Sequence, residues 1–436
     1  MPLSNRRRIV VAGACLVLPA VVLGVLLGGG GPGGGRSVVE AAPVAQLRDP
    51  AAAPARAATA RPVVARPAPL RIAPGHRLPA WLAPGAPLSV SGVATPRARV
   101  VLLVAGRRAG SGRSGARGAF TVTGSVPVTA TGTYRVAVAS GARRVGVGAL
   151  RVRPIELAAV GDVTFGDGVG WRIARTSARY PWLRVAPLLR GADIATANLE
   201  GAVSERGTPA PGKRFHFRGP AASLASAVRF AGIDVFTLAN NHSRDFGAIG
   251  LLDTVHAVRA AGGHTVGGGA NLAAARTAVI RRAGGLRIAF LGYNDVPPWA
   301  FTARRRVPGT APAVPADIAR DIRVAHGRAD LVVVWFHWGY ELQTTQNARQ
   351  EELAQAATDA GATLVLGAHA HVLLPVVTPA PGRLVAWSLG NFVFSSRSVR
   401  TARTGILLVR LAATGVVGHR LVPARIALEQ PRLLAG

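Results

Sequence analysis

The stretch LVLGAHAHV, residues 364–372, is an apolar run that closes on two histidines one residue apart, His369 and His371. Imidazoles bind divalent metals and move protons near neutral pH. A buried strand has no packing use for a pair of them at its mouth. Comparable endings recur along the chain. Asp162 closes the run at 155–161, and NLE adds Asn198 and Glu200 after 194–197. NNHSRD supplies Asn240, Asn241, His242 and Asp245, while HWGYE supplies His337 and Glu341. Carboxylate, amide oxygen and imidazole together suit borderline divalent ions such as Mn, Fe or Zn. Two histidines at i and i+2 of an extended segment point the same way. A carboxylate can bridge two ions about 3.5–4 Å apart, the spacing of two-metal hydrolytic sites.

Taken singly, each motif has a plainer reading. Asp162 and Asn241 suit loop caps that bond their own backbone. Glu341 suits either the orientation of a liganding histidine or simple solvation. Asn391, in SLGN, either lines a pocket or caps the next segment. His216, in RFHFRGP, falls in an expected loop with a substrate role as its functional reading. His256, His264, His326 and His419 lie off the strand ends and read as surface or structural residues. Recurrence at successive strand ends makes a shared site the expectation.

The elements that must position these residues follow an α/β rhythm from 155 to about 430. Expected strands are 155–161, 194–198, 234–240, 287–292, 331–336 and 363–367. Three more, at 384–390, 405–411 and 416–422, read as antiparallel. In such sheets the carboxyl ends of strands are where loops converge on ligands. Residues 70–154 differ: short alternating strands at 88–94, 98–106, 119–126, 133–140 and 145–153 alternate with Gly-, Pro- and Arg-rich turns. That is the pattern of a small all-β, immunoglobulin-like sandwich, a spacer or binding module. Residues 28–69 read as a disordered Gly/Pro/Ala linker. Arg6, Arg7 and Arg8 precede an uncharged apolar run at 9–27, 19 residues long and sufficient to span a bilayer. The arginines should stay inside, so residues 1–27 read as a signal anchor with the domains outside the cell, or a signal peptide whose cleavage would secrete them. Cys15, the sole cysteine, lies in this run, so the folded part has no disulfide and no thiolate site.

The chain carries 52 basic against 20 acidic residues, a formal +32, and Lys213 is its one lysine. This charge reads either as compositional bias alongside so much Ala, Gly and Pro, or as attraction to a polyanion such as anionic lipid, wall polymer or polyglutamate. Nucleic acid is not an expected partner, since no basic stretch interleaves with aromatics.

GDVTFGDG, TANLEGAV, LANNHSRDFG, HWGYE, GAHAHV and SLGNFVF, in this order, resemble the family of the capsule protein CapA, associated with poly-γ-glutamate synthesis. The resemblance covers about 155–410. That family looks like a branch of the calcineurin-like metallophosphoesterases, which implies a two-sheet core flanked by helices. It further implies Asp162 and His371 as ligands of a first metal and Glu200 as the bridging carboxylate. Asn241, His337 and His369 would hold a second metal, and His242 would be the acid that protonates the leaving group. Asn198, Asn240, Asp245, Glu341 and Asn391 fall to supporting or substrate-facing places. Two positions depart from the phosphoesterase pattern: Thr164 stands where Asp-x-His would place a histidine, and Glu200 replaces the usual bridging Asp. One or two divalent ions are therefore expected. The implied activity is that of a metal-dependent, phosphoesterase-type hydrolase of polyglutamate or a related wall polymer, attacking with a metal-bound water whose pKa falls from 15.7 to about 7. A membrane-bound synthase is the implied partner. The rival reading is a non-catalytic binder that leads an anionic polymer out of such a synthase. A third has the β-domain make the main partner contact over a vestigial site.

Overall fold

A computed structural model describes residues 69–434. The expected membrane segment, and the linker up to residue 68, lie outside the described residues. Among the described residues no helix is long and apolar enough to cross a membrane.

The α/β region packs two sheets face to face. The first runs, in spatial order, through strands His264–Val266, Val235–Thr237, Ile194–Leu199, Ile155–Val163, Arg403–Ala412, Gly415–Ala427 and Gln430–Leu433. The second runs through Val279–Ala283, Leu286–Asn294, Leu331–His337, Leu364–Ala368, Leu384–Ala386 and Val376–Val377. Side chains alternate across a strand, and here both faces are buried, which is why these segments read as continuous apolar runs. Leu157, Ala159, Phe290, Val333, Trp335, Leu366 and Val409 fill the space between the sheets. Ala158, Val160 and Leu408 turn instead to the helices over the first sheet, and Val332, Val334 and Val365 to those over the second. A hydrogen bond of 2.9 Å from Trp335 Nε1 to Thr196 Oγ1 ties one sheet to the other.

The helices start and stop for local reasons. Helix Gly247–Ala261 ends on Gly262 at φ 98°, a left-handed cap that glycine adopts without Cβ strain. Helix Pro315–His326 opens on proline, whose missing N–H costs nothing in a first turn, and buries Ile318, Ile322 and Ala325. Helix Ala348–Asp359 opens with a reciprocal capping box between Asn347 and Gln350. The two-sheet core flanked by helices is thus the architecture the chain adopts.

Strand Leu384–Ala386, expected as antiparallel, is so only on one side: it pairs antiparallel with Val376–Val377 and parallel with Leu364–Ala368. Between them the chain passes through residues 369–375 and strand Val376–Val377, which runs back antiparallel to Leu384–Ala386, so the latter re-enters the sheet in the direction of Leu364–Ala368. The other two late strands are antiparallel to each other.

Residues 71–152 form eight strands along one hydrogen-bonded path. Two groups of strands are joined by a single ladder pair, Gly110 with Gly124, and Leu88, Val90, Leu102, Val122, Val138 and Leu150 share one core between them. Strand Arg107–Arg113 was not expected, because its Arg/Gly composition reads as turn. This β-domain docks at the amino ends of the parallel strands. Ala83 N donates to Gly284 O at 2.7 Å and Ala413 N to Pro84 O at 2.9 Å. Arg153 forks onto Asp193 at 2.6 and 2.7 Å while stacking over Trp81.

Candidate metal centre

At the opposite, carboxyl ends both sheets deliver polar residues to one place. In the first sheet Asn391, Asp162 and Asn198 lie side by side in register on three neighbouring strands. A bulge between Ala197 and Asn198 shifts that register and re-aims the asparagine. Asp162 can sit so close to the Ser388–Asn391 turn because residue 161 is glycine, as any Cβ there would strike the Gly390 carbonyl. From the second sheet come His337, the last residue of its strand, and the segment just past Ala368. That segment is not extended. His369 and His371 take left-handed φ values of 91° and 56°, costly for residues with a Cβ, so a turn rather than strand alternation brings both imidazoles inward.

Glu200 is the meeting point. It is fully buried, and its Oε1 lies 3.8 Å from His337 Nε2 and 3.9 Å from both His242 Nε2 and His371 Nε2. Two sets of ligand atoms share this carboxylate: Asp162, Glu200 and His371 in one, Glu200, His337 and His369 in the other, each within 4.8 Å. Asn241 Oδ1 joins the second at 2.9 Å from His337 Nε2. Exposed Glu341 falls within 4.8 Å of His369 and His371 in a third set.

The surroundings hold these groups still. Asn198 Nδ2 donates to Asp162 Oδ1 at 2.8 Å, and Asn240 Nδ2 donates to Asn198 Oδ1 at 3.0 Å. Asn240 Oδ1 accepts from the backbone N–H of His242 at 3.0 Å. His371 Nδ1 lies 2.8 Å from Asn391 Oδ1 and 3.3 Å from Asp162 Oδ2, so Asn391 lines the site. Asp245 is fully buried, 2.7 Å from His242 Nδ1. Phe217 covers the His242 ring at 4.3 Å between centroids.

Burial and mutual charge set the protonation states. Burial, with the like charge of Asp162, pushes the Glu200 carboxyl well up. Burial pushes His369 down to about 3 and His337 well below the usual imidazole range, their histidine neighbours adding to it. For His371 burial opposes the charge, but Glu200 and Asp162 outweigh it and hold the imidazole up to about 10. Burial lowers His242, with Asp245 partly offsetting it.

Within the site, Glu200 Oε1 and His369 Nδ1 are buried and find no hydrogen-bond partner among the described residues. An unpaired buried acceptor is costly, and both belong to the clustered sets. The donor chemistry of the cluster therefore fits a divalent cation. Thr164 contributes nothing to the clusters: its Oγ1 accepts from Gly166 N at 3.2 Å.

The twelve site residues inferred from sequence thus gather at one end of the two sheets. His216 does not join them; its Nε2 lies 2.7 Å from Ala210 O and its ring stacks edge-on against Phe246. One residue of the site was missed. Lys213 Nζ sits among Asn241 O, Asp245 Oδ1 and, at 3.2 Å, His242 Nδ1. The available signal was its uniqueness, a single lysine in a chain whose other basic residues are all arginine.

Residues 156–396 match the bacterial capsule synthesis protein PGA_cap family. The chain belongs to that family. It is 33% identical over 285 residues to the capsule biosynthesis protein CapA of Bacillus anthracis, covering 64% of this chain and 69% of that one. It is 32% identical over 274 residues to the PGA biosynthesis protein CapA of Bacillus subtilis strain 168, covering 62% of this chain and 72% of its relative. Among solved structures, the calcineurin-like phosphoesterase YfkN from Bacillus subtilis aligns over 62% of this chain and 90% of its own, at 14% identity and a TM-score of 0.36. The family match begins one residue into the α/β region, so the β-domain lies outside it.

Proposed function

We propose that this chain is a metal-dependent hydrolase acting on poly-γ-glutamate or a related anionic wall polymer outside the cell. The convergence of three imidazoles on the buried, unpaired Oε1 of Glu200 carries the reading. Asp162, Glu200 and His371 would hold one divalent ion, and Glu200, Asn241, His337 and His369 a second. When bound, the ion would act as a Lewis acid and lower the pKa of water. The chain's own residues do the rest. Asp245 and Lys213 fix the His242 ring under the cover of Phe217, so its Nε2 faces the reaction centre; in its imidazolium form, which Asp245 favours and burial disfavours, it would give the Nε2 proton to the leaving atom. Asn198 and Asn240 hold Asp162 and the 240–245 turn in place. The arginine-rich surface attracts a polycarboxylate.

On the same reading residues 1–27 anchor the protein beside a membrane-bound synthase, and the β-domain is an immunoglobulin-like spacer. The relatives' names, which speak of capsule and PGA biosynthesis, support the polymer. The rival, a non-catalytic binder or export factor, is favoured by Thr164, whose hydroxyl is engaged with the backbone where a ligand is expected. Replacing His242→Asn separates the two. Catalysis predicts that polymer cleavage, followed by chain length, falls about 10²–10⁴-fold with metal content unchanged. A wild-type chain that binds metal and polymer but leaves polymer length intact would establish the binder instead.

A further inference from the structure

The positive charge is unevenly spread. Residues 70–153 hold thirteen arginines and no aspartate or glutamate, whereas 155–434 hold eighteen of the twenty acidic residues. A general bias toward arginine gives no reason for acids to vanish from one region and persist in the next. Of the thirteen, Arg153 alone meets a carboxylate among the described residues, that of Asp193, and the other twelve are exposed.

Part of this excess has a definite shape. Strands Gly132–Ser140 and Arg143–Val152 pair antiparallel, setting Thr133 opposite Arg151, Arg135 opposite Ala149, Ala137 opposite Gly146 and Ala139 opposite Arg144. Tyr134, Val136 and Val138 turn toward the core, so Arg135, Ala137 and Ala139 lie on the opposite face, where Arg135 is exposed, Ala139 half-buried and Ala137 covered. A register shift beside Ala137 widens the pair locally. The outcome is an open cleft of about 560 Å³ between Arg135 and Arg144, lined by Ala137, Gly146 and Ala149 and, at the register shift, by Val136 and Gly148. Arg151 continues the same face two residues beyond Ala149.

We infer that this cleft is a docking groove for the extended backbone of a polycarboxylate chain. The polymer's identity as poly-γ-glutamate rests on the function proposed above. A floor of glycine and alanine lets a polymer backbone lie close to the strands. The flanking guanidinium forks match carboxylate geometry, which an ammonium does not. A membrane surface fits less well: the exposed large apolar side chains described in this region are Val93 and Val128, too short to insert. Because the domain docks at the amino ends of the parallel strands, the groove is separate from the metal centre. It holds the polymer rather than reacting with it.

The test is fluorescence anisotropy of labelled poly-γ-glutamate with the full chain at about 0.15 M salt. The triple variant Arg135→Gln/Arg144→Gln/Arg151→Gln should bind at least about tenfold more weakly, with an unchanged melting temperature. Arg107→Gln/Arg113→Gln/Arg117→Gln removes equal charge from another part of the domain and should cost less than about threefold. Equal losses in both variants would overturn the groove in favour of bulk charge, as would no loss in the first. Tighter binding of phosphatidylglycerol vesicles, abolished by the first variant and not displaced by polymer, would overturn it in favour of a lipid contact. Groove-dependent binding without any cleavage by the wild type would leave the groove standing and sink the hydrolase; cleavage with groove-independent binding would do the reverse.

Discussion

Glu200 and His371 hold the charge balance of the site between them. With burial opposing it, the imidazole of His371 is held up to about 10 by two carboxylates. Its pKa is thus above the unfolded value, and its contribution to stability without metal is full below about pH 6.5 and fades as pH climbs through about 10. A cation arriving at neutral pH must displace that proton. His337 and His369, both pushed down, are already neutral and impose no such dependence. Metal affinity should therefore rise from pH 6 to 9, with about one proton, the one the Glu200–His371 pair holds between them, released per ion at that position. Titration calorimetry in buffers of different ionisation enthalpy measures this directly, and identical heats in all buffers would contradict it. The site was readable because its groups sit at strand ends, where apolar runs stop on Asp, Asn, Glu or His. Lys213 was not, since it arrives on a loop with no period to mark it. Nor were the left-handed turns at His369 and His371, which an i, i+2 spacing disguises as an extended strand.

At the scale of elements, the doubly buried strands declared themselves by unbroken apolar runs such as LVVVWF, and their order in the chain matched the expectation. What failed was subtler. Arg107–Arg113 looks like turn because glycine and arginine carry no alternation, and its pairing rests on neighbours far away in sequence. Direction held at Leu384–Ala386 against Val376–Val377 and failed against Leu364–Ala368, because the chain reverses twice between those two strands. The strand–turn contact behind Asp162 yields a sharp prediction. In Gly161→Ala the new methyl meets the backbone carbonyl of Gly390, which cannot rotate away as a side chain would. Overpacking of this kind costs about 1–3 kcal/mol or more, so the melting temperature should fall and metal affinity with it. An unchanged thermal unfolding curve would contradict so close an approach of the Ser388–Asn391 turn to Gly161.

Across the whole molecule, one sheet brings Asp162 and the other His337, while the β-domain bonds to the opposite end of both sheets, at Ala413 and Gly284. Two sheets can gather ligands around one cation only if their packing is fixed, and Trp335 against Thr196 is part of that fixing. The most direct check is elemental analysis of the purified protein after metal-replete preparation. Wild type should carry at least one transition-metal ion per chain. Asp162→Asn from the first sheet and His337→Asn from the second should each lower that occupancy with the fold intact. Less than one ion per wild-type chain, or occupancy indifferent to both substitutions, would contradict a centre built jointly by the two sheets.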